Sequence, residues 1–308
     1  MTLLEFFLAG TMSAATVFLL AALGELVAEK SGMLNLGVEG MIAISAAVGF
    51  VVTYQTGSHF VGFIVAGAAG IGVSMIYAMV SITFLANQVA TGLAVGILGL
   101  GLSALIGKKH ESLTIIAPDP IQIPILSDIP LVGPVLFQQN IVVYFAIVMA
   151  VLISFCLNKT RLGLAIRACG ENPKAAEALS YSVFKIRYAA VAFGGLMAGF
   201  AGAYASTIYT PLWADGMIAG RGWIAVALVV FGTWKTGRIV LGAYLFGMVS
   251  LGELMVQSFG VAVPSQLLSA MPFVITIVVL AIISSDRARL RLHAPYSLGE
   301  TYDGSEPQ

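Results

Sequence analysis

The run FVGFIVAGAAGIGVSMIYAMVSITF, residues 60–84, contains no charged side chain. One helix needs about 20 predominantly apolar residues to cross a hydrocarbon core about 30 Å thick, and this run supplies them. The sequence around it repeats the pattern: between Met1 and Gly107 only Glu5, Glu25, Glu29, Lys30 and Glu39 are charged. Of the 308 residues, 59% are hydrophobic and 10% charged, against about 25% charged in soluble domains. The mean hydropathy is +0.97. Such a chain cannot coat a soluble surface with charge. An ordinary cytosolic enzyme and a disordered protein are therefore excluded. Lys+Arg and Asp+Glu balance at 15 each, which leaves no basic footprint for a nucleic acid.

The expected fold class is all-α, a polytopic membrane bundle of about 8–10 transmembrane helices with a short cytoplasmic helix. Candidate spans are roughly 5–28, 33–54, 60–84, 88–107, 140–158, 188–210, 216–234, 239–257 and 264–284. Residues 1–285 form the membrane domain. Lys and Arg in short loops set orientation. The loop 159–187 carries Lys159, Arg161, Arg167, Lys174, Lys185 and Arg187 against Glu171 and Glu177, so it is expected in the cytoplasm. Lys30, Lys235, Arg238 and the trio Arg287, Arg289 and Arg291 place their segments on the same side. The N-terminus then faces outward, and Lys108 and Lys109 sit on the minority side. The segment 108–139, with Pro118, Pro120, Pro124, Pro130 and Pro134, is an external connection, read as an extended cap or a loose loop. The tail 286–308 is expected to be disordered.

Some patterns resemble chemistry without its context. Gly101-Leu-Ser-Ala-Leu-Ile-Gly107-Lys108-Lys109 has five residues between its glycines and Lys109 where a Mg²⁺-binding hydroxyl belongs. Gly99-Leu-Gly101-Leu-Ser-Ala104 lacks the preceding strand of a dinucleotide site. Cys156, Cys169 and the three histidines have no metal-ligand spacing, so no metal site is expected. Gly92/Gly96, Gly195/Gly199 and Gly194/Ala198/Gly202 put small residues on helix faces, where backbones can approach closely in lipid.

Four segments carry more. In Ser31-Gly-Met-Leu-Asn35-Leu-Gly37-Val-Glu39-Gly40 the glycines and Asn35 weaken a helix, and intramembrane polar groups face a cavity or a partner. This reads as a broken helix at a translocation path, with Glu39 in the first turn of the restarted helix, or as Glu39 paired structurally with a cation. Asn87-Gln88-Val-Ala-Thr91 is a polar break; Gln88 and Thr91 line the path or cap a helix. In Gly170-Glu171-Asn172-Pro173-Lys174-Ala175-Ala176, Gly170 ends one helix. Asn172 and Pro173 start another, over roughly 173–180. The uncharged run after Arg221, from Gly222 to Trp234, is short for a span. Arg221 therefore sits near an interface or the segment is re-entrant. Trp223 and Trp234 suit interfaces, and Asp215 is a candidate partner for Arg221.

Together these segments resemble the permeases of ATP-binding-cassette importers, in the ribose/branched-chain amino-acid permease family and its nucleoside and simple-sugar branch. Asn35-Leu-Gly37-Val-Glu39-Gly40-Met41 is similar to that family's N-L-G-x-E-G-M signature. Gly170-Glu-Asn-Pro173-x-Ala-Ala176 with Lys185-Ile-Arg187 is similar to its coupling segment. Gly220-Arg-Gly-Trp through Gly232 and Leu126-Ser-Asp128-Ile-Pro130 also match. The likeness runs over about residues 5–285 and departs at Ser180, where the branch often has glycine. It implies a transport subunit, not an enzyme, in a bacterial-type inner membrane with the C-terminus cytoplasmic. It also implies two permeases, often a heterodimer of sister chains, and two cytosolic ATPases that use ATP and Mg. An extracytoplasmic solute-binding protein completes the assembly. No cofactor would be bound by this chain. Gly170, Glu171, Asn172, Pro173, Ala175 and Ala176 would couple to the ATPase; Asn35, Glu39, Gln88 and Thr91 are the path candidates. The alternative from another class is an ion-coupled secondary transporter with Glu39 or Glu253 as proton carrier.

Overall fold

The computed structural model describes residues 2–124, 126–127, 129–258, 265–284 and 294–303. Its helices are α1 Leu3–Lys30, α2 Val38–Thr56, α3 His59–Ala78, α4 Gln88–Gly107, α5 Ile141–Lys159 and α6 Arg161–Glu171. They continue with α7 Pro173–Ala178, α8 Val183–Tyr204, α9 Arg221–Phe231, α10 Thr236–Ser258 and α11 Ser265–Ser284. α3 and α8 run on into π turns, Met79–Thr83 and Ala205–Tyr209. Among the described residues the only strands are the antiparallel pair β1 Ile121–Gln122 and β2 Gln138–Gln139. The architecture is thus the expected all-α bundle. Asp128 and the trio Arg287, Arg289 and Arg291 lie outside the described residues.

Seven helices among the described residues are long and apolar enough to cross a membrane, fewer than the nine expected. Arg221–Phe231 has 11 residues, about 16 Å at 1.5 Å per residue, half the thickness of a hydrocarbon core. The expected span 216–234 was apolar enough but includes turns at both ends of α9. The last expected span, 264–284, coincides with α11, whose 20 residues make about 30 Å.

α1, α2 and α8 form the buried centre, with most of their side chains inside the protein. Glycine sets their spacing. A Cβ on Gly195 of α8 would lie 2.5 Å from the Gly70 carbonyl oxygen of α3, and one on Gly202 would lie 2.3 Å from the Ile42 carbonyl of α2. A Cβ on Gly40 of α2 would lie 2.3 Å from the Gly96 carbonyl of α4. The small-residue faces expected from the sequence are these contacts, and van der Waals packing at close range replaces the hydrophobic drive that lipid removes.

The two ends of the bundle differ. One gathers Lys30, Arg167, Glu171, Trp234 and Lys235 around a cavity of 420 Å³; α6 and α7 lie here. The opposite end is capped by 108–139, which is packed and not loose. Gln139 donates to the Ala9 and Val135 carbonyls, Leu131 N–H to Glu5, and Ile115 N–H to Pro211 O. His59 meets the Ile116 carbonyl at 2.9 Å.

Candidate functional site

At the basic end, the start of α6 is capped by Thr160, whose hydroxyl accepts from Gly163 N–H at 3.1 Å. Gly170 packs against α1, where a Cβ would lie 2.3 Å from the Lys30 carbonyl oxygen. Asn172 then caps α7, its side-chain oxygen accepting from Ala175 N–H at 3.0 Å, with Pro173 in the first turn. This is the local chemistry that a helix start requires. α7 ends at Ala178, short of the expected 180, because Ser180 turns into the left-handed region at φ +66°. That region suits glycine, which is the residue the family pattern often has here. Ser180→Gly is expected to raise stability by up to about 1 kcal/mol through relief of this strain, seen as a higher melting temperature in detergent. An unchanged or lower value would show the turn to be unstrained.

The coupling candidates divide by burial. Ala176 is 1% exposed and packs with Cys169 and Val183. It and Gly170 fix the element in place. Glu171, Asn172 and Ala175 are exposed and Pro173 partly so, alongside Leu179 at 71% exposure. The outward face of α7 is therefore small, capped and partly apolar, as a docking knob needs.

The break between α1 and α2 lies next to it. Gly32 takes φ +90°. The Asn35 side-chain oxygen accepts from Gly37 N–H at 2.9 Å and its own N–H donates to Glu25 at 3.0 Å. Leu34 is held at both groups: its N–H donates to Gln88 Oε1 at 2.7 Å, and its carbonyl accepts from the Tyr77 hydroxyl at 2.6 Å. Asn35 and Gln88 thus meet at the break as buried groups bonded to backbone, and Thr91 is buried one turn along α4 from Gln88.

Glu39 lies apart from them, at the start of α9. Its carboxylate accepts from Gly220 N–H at 2.6 Å and Gly222 N–H at 2.7 Å. The carboxylate therefore sits at two helix N-termini, its own and that of α9, where the dipoles favour it. Arg221 stacks over the Tyr209 ring at 5.6 Å. The carboxylates acting on it are Glu39 and Glu253, not the expected Asp215. α9 is a half-helix inside the bundle. The segment runs from Pro211, bonded to Ile115 at the capped end, to Trp234 and Lys235 at the basic end, so it passes through the bundle and the re-entrant reading does not hold. Trp234, just past the far end of α9, is buried, its indole N–H donating to Glu29 at 2.5 Å.

Glu25 and Glu29 carry no role in the sequence pattern above. Both are fully buried on α1, and one oxygen of each has no hydrogen-bond partner among the described residues. Two carboxylates four residues apart in an apolar window were a legible signal. Trp234→Phe is expected to cost about 1–3 kcal/mol by removing the indole donor from a buried carboxylate. A melting temperature equal to wild type would refute that role for the indole.

The tail departs most from expectation. Residues 294–303 are ordered against the basic end. Ser297 is 3% exposed; its N–H donates to the Gly170 carbonyl at 2.9 Å and its hydroxyl to the same oxygen at 2.8 Å. The Tyr302 hydroxyl donates to Glu177 of α7. Burial, with the Glu177 carboxylate beside it, pushes that hydroxyl up to about 12, so it keeps its proton throughout the neutral range. A tail rich in polar residues and turns reads as disordered when its partners are distant in sequence, as Gly170 and Arg187 are.

A family model described as the permease component of branched-chain amino acid transport systems matches residues 7–282. TsgC13 of Haloferax volcanii, provisionally named a glucose ABC transporter permease, is 39% identical, over 95% of this chain and 96% of its own. NupQ of Bacillus subtilis, a guanosine ABC transporter permease, is 32% identical over 90% and 92% of the two chains. NupC of Lactococcus lactis, a nucleoside ABC transporter permease, is 30% identical over 91% and 92%. No solved structure matches. With a match that takes in the broken helix, the capped α7 and the half-helix α9, the chain belongs to the family of permease components of branched-chain amino acid transport systems.

Proposed function

We propose that this chain forms the translocation path of an ATP-driven importer for a nucleoside. A simple sugar is the second reading, favoured by the relative of 39% identity that is named for glucose. The chain is a transport subunit, not an enzyme, and ATPase and solute-binding partners follow from its family. The observation that carries the reading is α7: an Asn-capped, outward-facing knob fixed to the bundle beside the break. ATP binding would close the ATPases, move α7 and bias the bundle between two states, as differential binding requires.

On this reading the basic end and the C-terminus face the cytoplasm, and the second permease is a sister chain. Asn35, Gln88, Thr91 and Glu39 would meet solute only when the break opens. The test is uptake by reconstituted complexes. Labelled guanosine and glucose should enter when ATP is present and continue to enter when an ionophore collapses the proton gradient. Uptake that follows the gradient and ignores ATP would overturn the reading. Ala175→Glu, on the exposed face of α7, is expected to lower uptake about tenfold, equivalent to about 1.4 kcal/mol of docking. Its fold should be intact, since Ala175 is not a packing residue. Normal uptake by that variant would remove α7 from the docking surface. The same charge at buried Ala176 would instead displace the element.

A further inference from the structure

We propose that tail residues 296–302 form a strap that carries the movement of α7 to the break between α1 and α2, with Arg187 as the residue that positions it. The inference rests on the reading of the chain as an ATP-driven permease and extends it to a part of the molecule that reading does not use.

The strap is attached at both of the places that must move together. Towards α7, Tyr302 donates to Glu177, and Ser297 is bonded twice to the Gly170 carbonyl at the end of α6. Towards the break, Gly299 N–H donates to the Gly32 carbonyl at 3.3 Å. The Glu300 carbonyl accepts from Gln88 Nε2 at 2.9 Å, and the other end of the same Gln88 side chain accepts from Leu34 N–H at 2.7 Å. A continuous line therefore runs from Glu177 through the strap and Gln88 to Leu34. α7 itself packs on α6 and α8.

Arg187 stands at the middle of this line. It is on α8 and 2% exposed. Its Nε donates to the Ser31 carbonyl at 3.2 Å, Nη1 to the Glu300 carbonyl at 3.4 Å and Nη2 to the Ser297 hydroxyl at 3.2 Å. The guanidinium lies 5.9 Å from the Tyr302 ring centre. A planar fork of fixed donors holds several partners in one relative geometry, which a lysine cannot reproduce. Gly32 leaves room for the arrangement: a Cβ there would lie 2.7 Å from the Ser297 hydroxyl and 2.8 Å from Arg187 Nη2. Since the strap and the break share one buried cation, and the strap is bonded to the end of α6 through Ser297, displacement of the strap would disturb the break.

The test is the number of solute molecules imported per ATP hydrolysed, using the complete complex in proteoliposomes with labelled guanosine or glucose, whichever it takes up. A chain ending at His293 is expected to keep hydrolysing ATP while imports per ATP fall about fivefold or more, the lower range of coupling between two sites. Arg187→Lys should shift the ratio in the same direction, and Tyr302→Phe by a smaller amount. An unchanged ratio in the shortened chain and in Arg187→Lys would overturn the proposal. So would uptake and hydrolysis that fall in proportion, which would make the strap a static brace. If the shortened chain fails to assemble, Tyr302→Phe decides, because it removes one hydroxyl at a half-buried site, and a wild-type ratio there overturns the proposal. Absence of ATP-driven uptake in the unaltered complex would instead overturn the reading of the protein as an ATP-driven permease.

Discussion

Glu39→Ala is expected to destabilise the protein more than Trp234→Phe does. The carboxylate takes up two N–H groups of the α9 start, Gly220 at 2.6 Å and Gly222 at 2.7 Å. Gly222 is buried and Gly220, the N-cap, half-buried, so water replaces the lost acceptor poorly. Leaving a buried donor unpaired costs about 1–3 kcal/mol, so two give about 2–6 kcal/mol. Folded proteins hold only about 5–15 kcal/mol in total. The expected observation is a large fall in melting temperature in detergent, and loss of folded protein at growth temperature. Glu39→Gln keeps one acceptor oxygen but turns an amide donor toward the second N–H, so its loss should be intermediate. Uptake separates two roles. If Glu39→Gln is nearly as stable as wild type but imports slowly, Glu39 contacts the solute when the break opens. If stability and uptake fall together, Glu39 is a latch between α2 and α9. Wild-type stability in Glu39→Ala would refute the latch, and unaltered uptake and specificity in Glu39→Gln would remove Glu39 from the path.

Glu39 also shows how far a sequence can be read. Its place in the first turn of a restarted helix was legible, because glycines at 32, 37 and 40 with Asn35 break a helix locally. Its partner was not, since Gly220 and Gly222 are more than 180 residues away. The same division holds elsewhere. The start of α7 was legible to the residue because Asn172 and Pro173 act within one turn. The long spans were legible because a bilayer imposes length and polarity together. The segment 216–234 was read as one continuous span, since apolar content does not reveal that only 11 of its residues are helical. The tail was misjudged for a related reason. Its order comes from buried Arg187 and from the Gly170 and Gly32 carbonyls on other elements, and nothing in a short polar stretch announces such partners.

Glycine substitutions on α3 and α4 provide the second large effect, and one that only geometry predicts. α3 carries Gly70 and Gly72, and α4 carries Gly99 and Gly101. In sequence the members of each pair look alike. A Cβ on Gly70 would lie 2.1 Å from the Gly195 carbonyl oxygen of α8, and one on Gly99 would lie 2.4 Å from the Gly40 carbonyl of α2. A Cβ on Gly72 or Gly101 would meet nothing within 4 Å. Helix propensity alone favours alanine over glycine by about 1 kcal/mol at all of them. At Gly70 and Gly99 the clash is with a helix backbone, which cannot rotate away as a side chain can. Those helices must separate, and overpacking of this kind costs about 1–3 kcal/mol or more. Gly70→Ala and Gly99→Ala are therefore expected to lower the melting temperature, and valine to abolish the folded state. Gly72→Ala and Gly101→Ala should leave it unchanged or slightly raised. Because each control lies on the same helix two residues away, changes in expression or insertion cannot mimic the contrast. Equal effects within both pairs would show that α3 and α4 do not approach α8 and α2 as closely as this packing requires. The α2–α4 contact matters further for transport. Gly37, Gly92 and Gly96 adjoin the same seam beside the break, so a side chain wedged there would hold open the elements that must slide past one another when the break moves.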